Sequence, residues 1–474
     1  MSSIDPTTLT GAATALREGT VTSAGLTEAA IARADACDAE VGTYLTRFDD
    51  YARERAAVAD AELARGLDRG PLHGIPFGVK DILAMAEGPT TAQSLVLDRL
   101  WGQGKDAPVV ARLKAAGAVI TGKTTTMEFA CGMPDATKPF PVPRNPWDAA
   151  TWPGGSSSGT GSGVAAGMFL AGLGTDTAGS IRIPAAFCGV SGLMPTFGRV
   201  PKSGCVPLGY SLDHIGPLAR SAEDCAAVLQ VIAGSHPSDP DCVDPPFAAP
   251  ELGGDLAGLR IGVVRQHHFP AEADPALAGV FESAVAELAA QGAQLVEVEL
   301  PYWQEMITAD LVTMSCEALA YHRADLTKRW DDYFVATRAM LALGATASGA
   351  DYVQAQRVRR VAQDAIGRLF HTVDVVVSPT AAVGAPAFDS LVGADGTVDV
   401  GALFSVVFTP YWDSVGNPVL AVPMGFTAAG LPLSMQLAGR AFDEATVLRA
   451  GAAFQRATDW HLRTPELAAT AAAA

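Results

Sequence analysis

The sequence predicts an α/β protein in which a mixed β-sheet core is flanked by helices on both faces. Strand-like and helix-like segments alternate through residues 71–235, and a strand, a helix and a second strand follow one another in residues 259–301. The chain has 474 residues, of which 49% are hydrophobic and only 18% charged, so it can bury a large core. Its length alone would favour about two to four domains.

The other segments follow in chain order. Residues 1–67 are predicted to form helices outside the core, because they are rich in Ala, Glu and Arg with apolar residues at helical spacing. Residues 235–252 are proline-rich and acidic, which is typical of a surface linker. Residues 303–372 are predicted to be mostly helical. A buried strand then begins residues 373–388, and a final helix starts near Glu444.

The most informative segment is residues 153–184, PGGSSSGTGSGVAAGMFLAGLGTDTAGSIRIP. Its Gly/Ser run at 154–163 predicts a turn that brings backbone N–H groups close to a ligand. The apolar stretch 164–173 predicts a buried helix, and residues 174–180 predict a second turn that ends in a serine hydroxyl. Consecutive, nearly bare amides in such a turn suit an oxyanion hole.

A serine nucleophile needs a base, and none of the eight histidines lies in a convincing motif. Lys80, however, ends an apolar, strand-like run at 75–79. A buried lysine has a lowered pKa and can act as a base near neutral pH. A lysine at a strand end also commonly extends its ammonium group to solvent. The two serine-bearing turns favour the role as a base.

These residues resemble the amidase signature family, whose catalytic set is a lysine, a cis-serine and a nucleophilic serine. The matching residues are Lys80, Ser156 and Ser180, with the two serines 24 positions apart as in that family. The resemblance continues through DAPVVARLKAAGAVITGKT, SIRIPAAFCGVSGLMPTFGRVP and LPLSMQLAGRAFDEATVLRA. It implies one intertwined domain over 1–474, with further divisions that follow. These are a catalytic core at 71–235, a variable cover at 253–372 and a C-terminal part of the core at 373–474.

The resemblance also implies the roles of individual residues. Ser180 attacks the carbonyl, while Ser156 relays its proton to neutral Lys80 and the same relay protonates the leaving nitrogen. Ser156 follows a cis peptide bond in relatives, which here would be Gly155–Ser156. The backbone N–H groups of Thr177, Ala178, Gly179 and Ser180 would bind the oxyanion. Ser157, Asp176 and Arg182 would support the loops, and Ala130, Cys131, Gly132 and Met133 would line the acyl pocket.

Two other motifs point to different chemistry. Residues 117–124, GAVITGKT, match the phosphate-binding loop of an ATP-dependent ligase, but a helix is predicted before them and a strand lies where the loop should be. Residues 155–159 match the G-x-S-x-G elbow of esterases with Ser157 at its centre. That elbow must follow a buried strand, whereas the preceding residues hold three prolines and are predicted to be loop.

Charge and composition limit the partners. The net charge of −18, from 33 basic and 51 acidic residues, repels nucleic acid and anionic membrane surfaces. We therefore expect a small-molecule substrate, no nucleic acid, no membrane, and a monomer or homodimer. No cofactor or metal is expected, because the seven cysteines form no CxxC pair. A cytoplasmic location is expected, since the N-terminus has no secretory pattern.

The predicted substrate is a small or aryl amide or a carbamate, including urethane esters. The main alternative is the glutamine-hydrolysing component of a tRNA-dependent amidotransferase. Arg359 in AQRVRR lies where that branch holds the glutamine carboxylate. The acid that would hold the amine is expected near Val406 or Val407, and no acid occurs between Asp399 and Asp413. The cover also carries residues that form either an apolar pocket or helix core: Tyr302, Trp303, Met306, Met314, Trp330, Tyr333 and Phe334.

Overall fold

A computed structural model describes residues 7–243, 247, 250–393 and 404–468. Its mixed sheet, with helices around it, confirms the predicted fold class. The strands of the described residues are β1 (Tyr44–Arg47), β2 (Pro76–Lys80), β3 (Val119–Thr124), β4 (Ala171–Asp176), β5 (Ser191–Met194), β6 (His214–Ala219), β7 (Arg260–Val263), β8 (Gln294–Glu297), β9 (Val375–Pro379), β10 (Val419–Phe426) and β11 (Pro432–Gly439). They form one 11-stranded sheet in the order β1-β3-β2-β4-β6-β5-β10-β11-β9-β7-β8.

Parallel pairs lie in two parts of this sheet. β2 pairs in parallel with β3 and β4, and β7 pairs in parallel with β8 and β9. The central strands β6, β5, β10 and β11 pair in antiparallel fashion. Because β2 and β4 are adjacent and parallel, their C-terminal ends meet at one edge. Lys80 and Asp176, the last residues of these strands, are therefore brought to the same side of the sheet.

The helices surround this sheet. In the described residues they are α1 (Leu9–Glu18), α2 (Ser23–Val41), α3 (Asp49–Leu63), α4 (Pro108–Ala115), α5 (Ser158–Ala165), α6 (Arg182–Cys188), α7 (Ala222–Ile232), α8 (Leu277–Ala290), α9 (Trp303–Arg329), α10 (Val335–Leu343), α11 (Gly349–Leu369), α12 (Phe388–Leu391), α13 (Pro410–Val415) and α14 (Glu444–Ala457). The predicted helical region 303–372 consists of α9, α10 and α11. Helix α9 contacts α10, α11 and α13.

Two sequence predictions are wrong in position. The helix expected at 164–173 is instead α5, which begins at Ser158 inside the Gly/Ser run, and the chain from Ala171 is strand β4. Residues of the run fit a helix here because Thr43 and Phe169 pack directly where larger side chains would lie. The segment 1–67 also contains β1, which pairs with β3 at the sheet edge. With only four residues, this strand is too short to show a period.

The remaining predictions of elements agree with the structure. Residues 259–301 contain β7, α8 and β8, residues 373–388 begin with β9, and α14 starts at Glu444. Part of the predicted linker at 235–252 lies outside the described residues, and its described part contains neither helix nor strand. Within the described residues, no helix has the length and apolar character that a membrane crossing requires.

Candidate active site

Lys80 is fully buried at the end of β2. Its Nζ donates to Ser156 Oγ at 2.7 Å, to Thr175 Oγ1 at 2.7 Å and to Ser157 Oγ at 3.0 Å. Burial lowers the pKa of Lys80 to about 7, against the opposing influence of Cys205, Asp176 and Asp213. These direct partners are hydroxyl groups, which can also donate to an amine lone pair. The site therefore accommodates Lys80 in its neutral form.

The first serine turn occupies residues 154–157 only, because α5 begins at Ser158. The Gly155–Ser156 peptide bond is cis. Ser157 Oγ donates to the backbone oxygen of Thr175 at 3.2 Å and accepts from its N–H at 3.2 Å. The turn is thus fastened to β4, and Ser156 Oγ faces Lys80. Ser157 is fully buried and its hydroxyl is occupied by these contacts, which does not fit the nucleophile of an esterase elbow.

The second turn follows β4 and carries Ser180. The Asp176 carboxylate accepts the Gly179 N–H at 2.5 Å and the Ile181 N–H at 3.2 Å. Gly179 has φ +127°, and a Cβ there would lie 2.0 Å from Thr409 Oγ1, so this position requires glycine. The prediction that all four N–H groups face the substrate is wrong for Gly179, because its N–H is already donated to Asp176.

Two of the predicted oxyanion donors remain available. Among the described residues, no acceptor takes the N–H of Ala178 or of Ser180. Thr177 is held at the start of the turn, where its hydroxyl donates to Asp213 Oδ1 at 2.7 Å. Asp213 also accepts N–H groups of Leu208 and Gly209 at 3.0 and 3.1 Å. Asp213 was not found from the sequence, since it lies 36 residues beyond Thr177 with no motif around it.

A buried network of charges supports this turn. Arg182 Nε lies 2.9 Å from Asp176 Oδ2, a second guanidinium nitrogen bonds Asp413, and a third donates to the Thr409 backbone oxygen at 2.9 Å. Burial alone would raise the pKa of Asp176, but Arg182 holds it below its ordinary value. Burial raises the pKa of Asp413 well above its ordinary value. Asp413 lies 231 residues from Arg182 and was missed from the sequence.

Removal of Arg182 should destabilise the protein strongly. An Arg182→Met variant would leave Asp176 buried without its cation, and breaking a buried pair in this way costs about 3–5 kcal/mol. Urea unfolding followed by circular dichroism should show this decrease in the free energy of unfolding. Arg360→Met removes the exposed pair with Asp364 and should change the free energy far less. Equal effects of the two substitutions would contradict the supporting role of Arg182.

Ser180 borders a small cavity of about 50 Å³. Its described lining residues are Met127, Ala130, Cys131, Gly132, Trp152, Gly155, Ala178, Ser180, Ile183, Leu208, Met314, Ala336, Met340 and Phe404. None of these described residues carries a charge. Ala130, Cys131 and Gly132 line the cavity as predicted, but Met133 does not. Beyond the left-handed turn at Gly132, Met133 is buried in a core cluster with Trp152 and Phe187.

The aromatic and methionine side chains of the cover mostly have another role. Of the predicted set, only Met314 lines the cavity. Tyr333, Phe334 and Met306 are buried in the core, while Tyr302 is exposed. Helical spacing alone does not tell a core face from a pocket face. The cavity wall instead comes from shorter side chains and from Met340 and Phe404.

Lys123, the lysine of the apparent phosphate loop, is fully buried inside β3. Its Nζ lies 2.9 Å from Asp81 Oδ1 and donates to the Leu83 backbone oxygen at 2.8 Å and to Thr90 Oγ1 at 3.0 Å. A strand at this position has no loop to surround a phosphate. The structure therefore contradicts an ATP-binding ligase that uses residues 117–124.

Arg359, which would hold a glutamine carboxylate, is nearly buried and makes contacts within the protein. Its Nε donates to the Ser414 backbone oxygen at 3.1 Å, and its two terminal nitrogens donate to Ser211 Oγ and the Ser211 backbone oxygen, each at 3.0 Å. It is not among the residues that line the cavity beside Ser180. The guanidinium thus fastens α11 to the loop before β6.

A mixed sheet with a buried lysine, two serine turns and available backbone N–H groups defines a serine hydrolase in which lysine replaces histidine. Comparison with known proteins identifies the family. The model of the Amidase family matches residues 25–448, and the chain belongs to this family, as the sequence predicted. It is an enzyme of the class that hydrolyses carbon–nitrogen bonds other than peptide bonds.

Three related proteins illustrate the range within the family. The A-type component of glutamyl-tRNA(Gln) amidotransferase from Roseiflexus sp. (strain RS-1) is 42% identical, with 97% of this chain and 98% of the relative covered. An amidase of Pseudomonas putida is 40% identical, with 98% and 99% covered. The crystal structure of a peptide amidase in complex with the competitive inhibitor chymostatin is 30% identical with a TM-score of 0.83, and 97% and 98% of the chains are covered.

Proposed function

We propose that the protein is a free-standing amidase that cleaves the C–N bond of small, uncharged amides, anilides or aryl carbamates, including urethane esters. The observation that carries this proposal is the small cavity beside Ser180, whose described lining residues have no charge. Ligand pockets commonly measure about 300–1,000 Å³, so a cavity of about 50 Å³ favours a short acyl or carbamoyl group. Its apolar side chains favour an uncharged one.

In the proposed mechanism, Ser180 Oγ bonds to the substrate carbonyl carbon and gives its proton to Ser156, while Ser156 passes its own proton to neutral Lys80. The N–H groups of Ala178 and Ser180, together with that of Thr177, stabilise the negative oxygen of the tetrahedral intermediate. The proton returns from Lys80 through Ser156 to the leaving nitrogen as the C–N bond breaks. Water then attacks the acyl-enzyme by the same proton path, and Ser180 is restored.

The distance of 2.7 Å between Lys80 Nζ and Ser156 Oγ supports the first relay step. A pKa near 7 for Lys80 supports the second, because the amine is then available as a base under neutral conditions. Ser157 and Thr175 hold Nζ from the other directions. Asp176, fixed by Arg182, would keep the turn that carries Ser180 in place.

A second candidate is the glutamine-hydrolysing component of an amidotransferase, and the 42% identity with a protein of that kind favours it. Glutamine carries an ammonium and a carboxylate group next to each other, and each needs a partner of opposite charge. Arg359 is already occupied by Ser211 and Ser414. No acid lies between Asp399 and Asp413 in the sequence. We therefore place this function second.

One mixed substrate panel separates the two functions. We expect wild-type protein to cleave anilides, short aliphatic amides or aryl carbamates, with products followed by mass spectrometry and Ser180→Ala as the blank. Glutamine should be cleaved at least about 10⁴-fold less efficiently, since a site that leaves charged groups unpaired rejects them strongly. Cleavage of glutamine alone would instead support the amidotransferase branch. Absence of any cleavage, with the protein folded, would contradict the free-standing amidase.

A further inference from the structure

Helix α10 of the cover forms one wall of the cavity beside Ser180. Ala336 and Met340 both line this cavity, and they lie four positions apart on one face of the helix. Across the cavity wall, Met340 Sδ lies 3.4 Å from Cys131 Sγ. The position of α10 therefore sets the depth of the space available to the group bound to Ser180.

The N-terminus of α10 is attached to the core by residues 128–132. Glu128 is fully buried, and its Oε2 accepts the N–H of Phe334, the residue that caps α10, at 2.7 Å. Its Oε1 accepts from Ser94 Oγ at 2.6 Å. Thr337 Oγ1 donates to the Cys131 backbone oxygen at 3.2 Å. A Cβ on Gly132 would lie 2.7 Å from the Thr337 nitrogen, so the chain approaches the helix closely at that point.

We propose that α10 selects substrates by the length of their acyl group and that Glu128 is the positioning residue that fixes this helix. This role rests on the proposed function, because the cavity selects acyl groups only if Ser180 is the nucleophile. Glu128 contacts neither Ser180 nor the cavity, so it acts through Phe334, Ala336 and Met340.

The charge at this contact fits a structural anchor. A carboxylate at a helix N-terminus is stabilised by the N–H groups there, which α10 presents through Phe334. Burial raises the pKa of Glu128 to about 7, against the opposing effect of its bonds with Ser94 and Phe334. A buried carboxyl group of this kind is costly unless its hydrogen bonds are made. Loss of the side chain would therefore release the start of α10.

The test measures kcat/KM for anilides of acetic, butyric, hexanoic and octanoic acid. Wild-type protein should favour the shortest acyl group. Met340→Ala removes part of the wall and should raise the ratio of hexanoyl to acetyl activity about tenfold or more, as expected when about two further methylenes are accommodated. Glu128→Ala should shift the ratio in the same direction, with most of the change in KM for the longer substrates.

Two variants serve as controls. In Glu128→Gln, the amide oxygen can accept from Phe334 and the amide nitrogen can donate to Ser94, so the chain-length ratio should stay close to that of wild type. Leu343→Ala changes an exposed residue at the end of α10 and should not alter the ratio. If Glu128→Ala does not fold, Met340→Ala and Glu128→Gln still test the selection of acyl groups.

The outcomes separate the two proposals. Wild-type protein that cleaves no anilide would contradict the proposed function itself. Active wild-type protein whose ratio is unchanged by Met340→Ala and Glu128→Ala would overturn the selective role of α10 alone. A Glu128→Gln ratio equal to that of Glu128→Ala would overturn the anchoring by hydrogen bonds.

Discussion

Ser180→Ala is expected to abolish hydrolysis of every substrate that wild-type protein cleaves, with a loss of roughly 10⁶-fold in kcat. Alanine keeps the backbone N–H groups of the turn but removes the only oxygen that would bond to the substrate carbon. Binding should change little, because the Cβ and the lining of the cavity remain. Initial rates with the best anilide and binding of a non-hydrolysed analogue would measure the two effects separately.

Ser158→Ala is the matched control for this substitution. Ser158 lies in the same Gly/Ser run as Ser156, and its buried hydroxyl has no hydrogen-bond partner among the described residues. Its removal should leave the rate within about threefold of wild type. Residual activity above about one per cent in Ser180→Ala, with Ser158→Ala unaffected, would point to another nucleophile.

Lys80→Ala should lower kcat/KM by about 10²–10⁴-fold, which is the contribution expected from a general base. The protein should stay folded, because Lys80 is uncharged in the proposed active form and Ser157 still bonds both backbone groups of Thr175. Rates and a thermal melt measured on the same sample would test both points. A variant that keeps more than about a tenth of wild-type activity would exclude Lys80 as the base.

The pH dependence tests the same assignment in the unaltered protein. Only neutral Lys80 can accept a proton, so kcat/KM should rise with increasing pH through about 7, the lowered pKa of Lys80, and then level off. Glu128 also has a pKa raised to about 7, so the profile should be repeated with Glu128→Gln. The rising limb should remain in that variant. Its disappearance would assign the titration to Glu128 instead of Lys80.

The sequence was sufficient to predict the class of fold and the location of the site. Lys80 ends an apolar run that does form a buried strand, and Ser156 and Ser180 lie in turns that the Gly and Ser residues make recognisable. The exact limits of α5 and β4 were less accessible. Small residues such as Gly159 and Gly163 disfavour a helix locally, but neighbouring side chains pack against them so closely that tertiary contacts decide the conformation.

The supporting residues could not be predicted because their partners are distant in sequence. Asp413 bonds Arg182 from 231 positions away, and Glu128 bonds Phe334 from 206 positions away. A single carboxylate has no local signature, and its role depends on which chain segment folds against it. The same holds for Gly179, whose N–H was expected to face the substrate but is directed to Asp176. Backbone direction within a turn is not encoded by glycine itself.

The most direct test of the account is to identify the residue that becomes acylated. An activated aryl carbamate should leave a slowly hydrolysed carbamoyl group on the enzyme, which intact-mass measurement and peptide mapping would place on Ser180. Ser180→Ala should carry no label, and Lys80→Ala should be labelled far more slowly than wild type. A carbamoyl group mapped to Ser156, Ser157 or any other residue, with Ser180 unmodified, would contradict the proposed mechanism.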